Sequence, residues 1–198
     1  MNTGVATREW LEDPTTALTG LVVPLYALAT VALWFLARPY GDARWKLASV
    51  SALVAGAVAM LTNQVISHLW ERPRPFTEHP ALTHLLSAPT TDPSFPSDHA
   101  ATAFAIAFAV LAFSRRAGAG FLLAASLIGL SRIALGLHYP SDVLAGILVG
   151  WTAAMLVTRT GAPLLARVVS IVSRVTDPLL EPVWKRLVPA PRERTAGR

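Results

Sequence analysis

The chain has 198 residues; 53% are hydrophobic, 15% are charged and none is cysteine. Soluble domains carry about 25% charged residues, so this composition excludes an ordinary soluble domain, and its mean hydropathy of +0.48 excludes a disordered one. The missing thiols exclude disulfides, cysteine-ligated metals and a thiol nucleophile, which leaves a small single-domain membrane protein.

Residues 1–16 are acidic, with Arg8 set against Glu9, Glu12 and Asp13. They lack the basic n-region and cleavage site of a signal peptide. The uncharged run 17–37 predicts a first membrane helix, kinked at Pro24. Crossing a hydrocarbon core of about 30 Å takes roughly 20 helical residues. Arg38, Asp42, Arg44 and Lys46 then precede a second apolar helix over 47–69. The connection over 70–96 holds Glu71-Arg72-Pro73-Arg74-Pro75, His79 and His84.

A third helix is expected over 97–114, opening on Pro96-Ser97-Asp98-His99 and closing before Arg115 and Arg116. A fourth, over 119–138, is apolar except for Arg132, about six residues or ~9 Å from its outer end. His138-Tyr139-Pro140-Ser141-Asp142 turns the chain into a fifth, over 141–158. The third and fifth are short, which packing or local thinning of the bilayer accommodates. Gly146 and Gly150 form a Gly-x-x-x-Gly pattern, read either as small residues inside the bundle or as a dimer seam.

After Gly161 the apolar residues Leu164, Leu165, Val168, Ile171, Val172, Val175 and Leu179 recur at helical spacing, with Arg167 and Arg174 on another face. This predicts an interfacial amphipathic helix, ended or kinked by Pro178 and Pro182. A sixth span is the less favoured alternative, because two arginines are costly at mid-bilayer. A mobile basic tail is expected beyond Pro189. The organisation is thus an outward segment over 1–16, a membrane core over 17–158 and a cytoplasmic amphipathic and basic segment over 159–198.

Five crossings put Arg38, Arg44, Lys46, Arg115, Arg116, Arg159 and the basic tail on one side, and excess Lys and Arg marks the cytoplasm. The net charge of +5 reflects this topology and implies no nucleic-acid partner. The three polar clusters, around Arg72–Arg74, Ser97–His99 and Arg132–Asp142, then converge on the outer face. Arginine is a planar fork suited to phosphate oxygens, and helix N-termini bind anions through unpaired amides. A carboxylate four residues after His138 is placed to orient its ring, leaving one nitrogen free as nucleophile or base. Together these point to a phosphoryl site. A zinc site from His79, His84, His99 and Asp98 is the rival, though no zinc-motif spacing supports it. No glycine-rich nucleotide loop is present.

The pattern resembles the type 2 phosphatidic acid phosphatase superfamily. Ser131-Arg132, five residues, His138, three residues and Asp142 complete that family's third motif. Pro96-Ser97-Asp98-His99 matches the second, with aspartate replacing glycine. Arg74-Pro75 matches the end of the first, but Ser67 stands where the family has lysine. Pro-Ser-Asp-His, Arg-Pro-Arg-Pro-Phe and His-Tyr-Pro-Ser-Asp are similar to the bacitracin-resistance type of undecaprenyl pyrophosphate phosphatase.

The apolar runs make an all-α membrane bundle of five transmembrane helices, or six with the C-terminal helix, and the resemblance implies a phosphatase without metal or other cofactor. It implies His138 as nucleophile, Asp142 as its orienting carboxylate and His99 as general acid and then base. Arg74, Arg132 and Ser97 would bind phosphate, with Arg72 substituting for the missing lysine. Asp98, in the same binding set, is expected to turn toward an arginine or to cap its helix. The implied substrate is undecaprenyl pyrophosphate, cleaved at the outer face of a bacterial membrane. Phosphatidic acid, phosphatidylglycerol phosphate or another prenyl phosphate are the alternatives, and a non-catalytic protein that binds anionic lipid is a third. Oligomeric state is open.

Overall fold

The computed structural model describes residues 14–41, 43–81, 83 and 90–187. Among them the chain is all-helical: α1 (Pro14–Leu36), α2 (Arg44–Leu69), the short α3 (Pro75–Glu78), α4 (Asp98–Phe113), α5 (Arg115–Ala134), α6 (Pro140–Arg159) and α7 (Ala162–Leu187). α2, α5 and α6 are long and apolar enough to cross a membrane, whereas Pro24–Leu36 within α1 and α4 are shorter apolar stretches. These five helices fall on the five expected spans, and α1 runs through Pro24 as one helix. Residues 1–13 of the expected N-terminal segment and the tail beyond Leu187 lie outside the described residues, as does His84, whereas residues 14–16 belong to α1.

α4 is the centre of the bundle. Ala100, Ala101, Ala105, Ala107 and Ala109 are fully buried, and small side chains on every face let three helices close on it. A helix that is apolar all round belongs inside; enclosed by its neighbours, α4 needs no full membrane thickness of its own. The Gly-x-x-x-Gly pattern makes one of these contacts. A Cβ on Gly146 would lie 2.8 Å from the Ser97 carbonyl oxygen, and one on Gly150 2.5 Å from that of Ala101. The two glycines therefore press α6 onto α4 within one chain, which accounts for the pattern without a dimer seam. Across the bundle, the Tyr26 hydroxyl reaches the carbonyls of Ala103 and Phe121, both at 3.0 Å, and ties α1 to α4 and α5.

Leu61, Val65, Leu123, Leu127, Leu144 and Leu148 are exposed on the outside of the bundle. So large an apolar surface suits contact with lipid and not with water.

α5 and α7 depart furthest from expectation. α5 begins at Arg115 and ends at Ala134, four residues early at each end. Gly136, at φ 73°, supplies the left-handed residue that turns the chain. Arg132 therefore sits in the last turn of α5 and not ~9 Å deep. At the other end, α7 continues through Pro178 and Pro182. Both prolines are exposed, on the side away from the bundle, where a lost backbone hydrogen bond bends a helix without breaking its packing.

Candidate active site

The turn between α5 and α6 is folded back on itself, with the Arg132 carbonyl accepting from the amides of Leu137 at 3.1 Å and His138 at 3.3 Å. This places the His138 ring inside, at 4% exposure. Its Nδ1 lies 2.8 Å from the Ser94 carbonyl oxygen. A carbonyl only accepts, so Nδ1 carries the proton and Nε2 holds a free lone pair. Nε2 faces the Arg74 guanidinium at 3.4 Å.

Asp142 does not hold that ring directly. Its Oδ2 stands 3.8 Å from His138 Nδ1, beyond hydrogen-bond distance. Oδ2 instead accepts from the Ser94 hydroxyl and from the Tyr139 amide at 2.9 Å. Oδ1 accepts from Arg72 Nη1 at 2.8 Å. The carboxylate, fully buried, thus secures the strand of chain that orients His138 and supplies negative charge beneath it. The Asp142 carbonyl also accepts from the Ser97 amide at 3.1 Å, which joins the start of α6 to the start of α4.

Arg72, expected to replace the missing lysine, is occupied elsewhere. Its Nη1 also donates to Ser141 Oγ at 2.8 Å, and its guanidinium stacks 3.9 Å over the Tyr139 ring. It lines an outer cleft and not the cavity at His138. Ser67, at the lysine position, donates to its own helix at Gln64 O, 2.9 Å away.

Arg74 is anchored by backbone carbonyls: Nε donates to Asp92 at 2.8 Å and Nη1 to Leu137 at 3.1 Å. Burial pulls its pKa below the ordinary guanidinium value, and the carboxylates of Asp92, Asp98 and Asp142 oppose that shift. Arg74, Arg132, His99 and His138 line one polar cavity of about 220 Å³. Two buried polar atoms lack a partner at this place, Ser97 Oγ and Arg132 Nε. Ser97 is the N-cap residue of α4, yet its hydroxyl makes no capping bond. An unsatisfied buried donor normally carries a penalty, and a hydroxyl and a guanidinium in this position are donors that suit phosphate oxygens.

Asp98 neither caps α4 nor pairs with an arginine. Its Oδ1 accepts from Asn63 Nδ2 and its Oδ2 from Gln64 Nε2 at 3.1 Å. Asn63 also donates to the Pro96 carbonyl at 3.0 Å and is fully buried. Asn63, Gln64 and Ser94 were missed by reading the sequence. The polar pair Asn63-Gln64 inside an uncharged run was the available signal, because amides inside a membrane bundle serve as interhelical ties. Ser94 carries no comparable signal.

His79 stands exposed after α3. Among the described residues no three His, Asp or Glu side chains gather as metal ligands.

Residues 48–164 match the PAP2 superfamily. The chain belongs to the PAP2 superfamily. It is 31% identical over 169 residues to undecaprenyl-diphosphatase BcrC of Bacillus subtilis (strain 168), covering 85% of this chain and 84% of that protein. It is 36% identical over 127 residues to decaprenylphosphoryl-5-phosphoribose phosphatase of Mycobacterium tuberculosis (strain ATCC 25618 / H37Rv), covering 64% and 66%. The crystal structure of a transmembrane PAP2-type phosphatidylglycerolphosphate phosphatase from Bacillus subtilis superposes with a TM-score of 0.54 at 24% identity, covering 78% of each chain. That likeness shows the PAP2 membrane fold. The three polar clusters all lie within the matched region.

Proposed function

We propose that this PAP2 protein hydrolyses a polyprenyl diphosphate, undecaprenyl diphosphate in a bacterial membrane, to the monophosphate and inorganic phosphate. The observation that carries the reading is the placement of His138: Nδ1 lies 2.8 Å from the Ser94 carbonyl oxygen, and Nε2 faces a cavity lined by two arginines.

In this reading His138 Nε2 attacks the terminal phosphorus, taking the place of its long contact with Arg74. An N–P bond forms as the P–O bond to the lipid phosphate breaks, and His99 gives its proton to the departing oxygen. His99 then takes a proton from a water that attacks the phosphohistidine, releasing phosphate and restoring Nε2. Arg74, Arg132 and Ser97 hold the three equatorial oxygens, where charge concentrates in the transition state. Asp142 lies close enough to stabilise the imidazolium that forms, without bonding to it. Arg72 is a positioning residue that acts through Asp142. No step requires a metal.

The shape of the site supports a lipid substrate. An apolar groove of about 200 Å³, lined by Tyr26, Met60, Ala103, Ile106 and Ile128, shares His99 and Asp98 with the polar cavity. A headgroup in the cavity would leave its chain in the groove, with the scissile oxygen beside His99. Arg74 and Asp92 line both the cavity and the outer cleft of about 720 Å³, a route for water and phosphate.

The relatives are named for different lipid phosphates, so the substrate is the finer part of the proposal. Phosphate release by the purified chain, in chelator, from undecaprenyl diphosphate, phosphatidylglycerol phosphate and phosphatidic acid tests it. The diphosphate is expected to give the highest kcat/KM; a preference for either glycerolipid would overturn the assignment, and release from none would overturn the enzyme reading.

A further inference from the structure

We propose that α7 is a surface helix that binds an anionic phospholipid leaflet at the basic end of the bundle. Its partners within the chain fix where it lies. Lys46 pairs with Asp177 and donates to Ser173 at 3.1 Å, and the Tyr40 amide donates to Asp177 at 3.1 Å. Further along, Trp184 and Lys185 border a cleft shared with Arg38 and Tyr40. α7 is about 39 Å long at 1.5 Å per residue, yet from Ala166 to Lys185 it stays beside residues 38–47, the end of the bundle. A spanning helix would descend along α2; α7 crosses its end.

The helix carries three stripes. Leu165, Val169 and Asp177 are buried against the bundle. Leu164, Ile171, Val175 and Leu179 form an exposed apolar stripe, each more than 60% exposed. Arg167, Arg174 and Lys185 run between these two, along the exposed side. An apolar stripe bordered by bases is the pattern of a helix lying in the headgroup layer. Lys46 is spent on Asp177, both nearly fully buried, so that pair sets the rotation of α7; Lys185 pairs with Glu181 at 2.8 Å on the exposed side, and Arg167 and Arg174 are the bases of this stripe that face the ligand. The adjoining connections add Arg38, Arg115, Arg116 and Arg159. A second copy docking here would bring the same positive charge against itself, whereas anionic headgroups complement it.

The absence of cysteine makes single-cysteine labelling clean. Nitroxides at Ile171→Cys, Val175→Cys and Leu179→Cys are compared with Ser170→Cys and Arg174→Cys. The full chain is reconstituted in phosphatidylcholine vesicles with or without phosphatidylglycerol, and phosphate release serves as the control for folding. The ratio of oxygen to nickel-chelate accessibility is expected to be higher at the apolar positions, and the contrast to grow with phosphatidylglycerol. Equal ratios at all five sites, in water or deep in the bilayer, would overturn the proposal. So would an apolar stripe shielded from both reagents, as by a protein partner, or a contrast indifferent to phosphatidylglycerol.

Discussion

Arg72 and Asp142 form an ion pair of 2.8 Å between the loop after α2 and the first turn of α6. Asp142 in turn holds Ser94, whose carbonyl fixes the His138 tautomer. Arg72 thus stands three hydrogen bonds from the nucleophile, through Asp142 and Ser94, and is absent from the cavity lining. Replacing it with alanine is expected to lower kcat by up to about a hundredfold, the scale of a misplacement near 1 Å. KM should stay within a few-fold of wild type. Arg74→Ala is expected to raise KM as well as lower kcat. A steady-state comparison checks this, and Arg72→Ala acting mainly on KM would place that guanidinium on the phosphate instead.

Asp98 puts a carboxylate at the edge of an anion site, and the amides of Asn63 and Gln64 hold it in place. Asn63→Leu should release it toward Arg74 and Arg132, where it competes with substrate. A KM increase of about tenfold, ~1.4 kcal/mol, is expected. Adding Asp98→Gly should restore most of the loss. A double-mutant cycle measures this coupling; additive effects would mean that Asn63 acts only on packing.

Gly150 has no room for a side chain, since a Cβ would meet the Ala101 carbonyl oxygen at 2.5 Å. Gly150→Ala should cost about 1–3 kcal/mol of stability through overpacking. It should also reduce activity by moving the start of α4, where Ser97 and His99 sit. Thermal unfolding in detergent, with crosslinking to follow association, reads both. A variant that loses association while keeping its Tm would restore the dimer-seam reading.

Much of this was legible in the sequence because membrane spans and charged side chains leave strong signals. Five apolar runs marked the helices, and the spacing from Ser131 to Asp142 marked the turn that holds His138. The Arg72 and Asp98 partners were not legible. Each had several chemically reasonable partners, and only the packing of α2 and α6 around α4 selects Asp142 for one and Asn63 with Gln64 for the other. The Ser94 carbonyl was invisible for a simpler reason: every residue has one, and only the fold shows which meets a histidine. The end of α5 was misplaced because Leu135 and Leu137 continue its apolar run, whereas Gly136 takes the left-handed conformation that stops it.

Ser97→Ala removes a buried hydroxyl that makes no hydrogen bond within the chain. Loss of a phosphate ligand should lower kcat/KM by about tenfold or more, near 1.5 kcal/mol for a bond to a charged group. Tm should be unchanged or higher. A fall in Tm of several degrees would show that the hydroxyl serves the fold.

The most direct measurement is rapid quenching of turnover with substrate labelled at its terminal phosphorus, followed by mapping of the labelled residue. The account predicts an acid-labile, base-stable phosphoryl group on His138 Nε2, present in the wild type and absent from His138→Ala. Turnover with no covalent label and inversion at phosphorus would contradict it, as would label retained in His138→Ala.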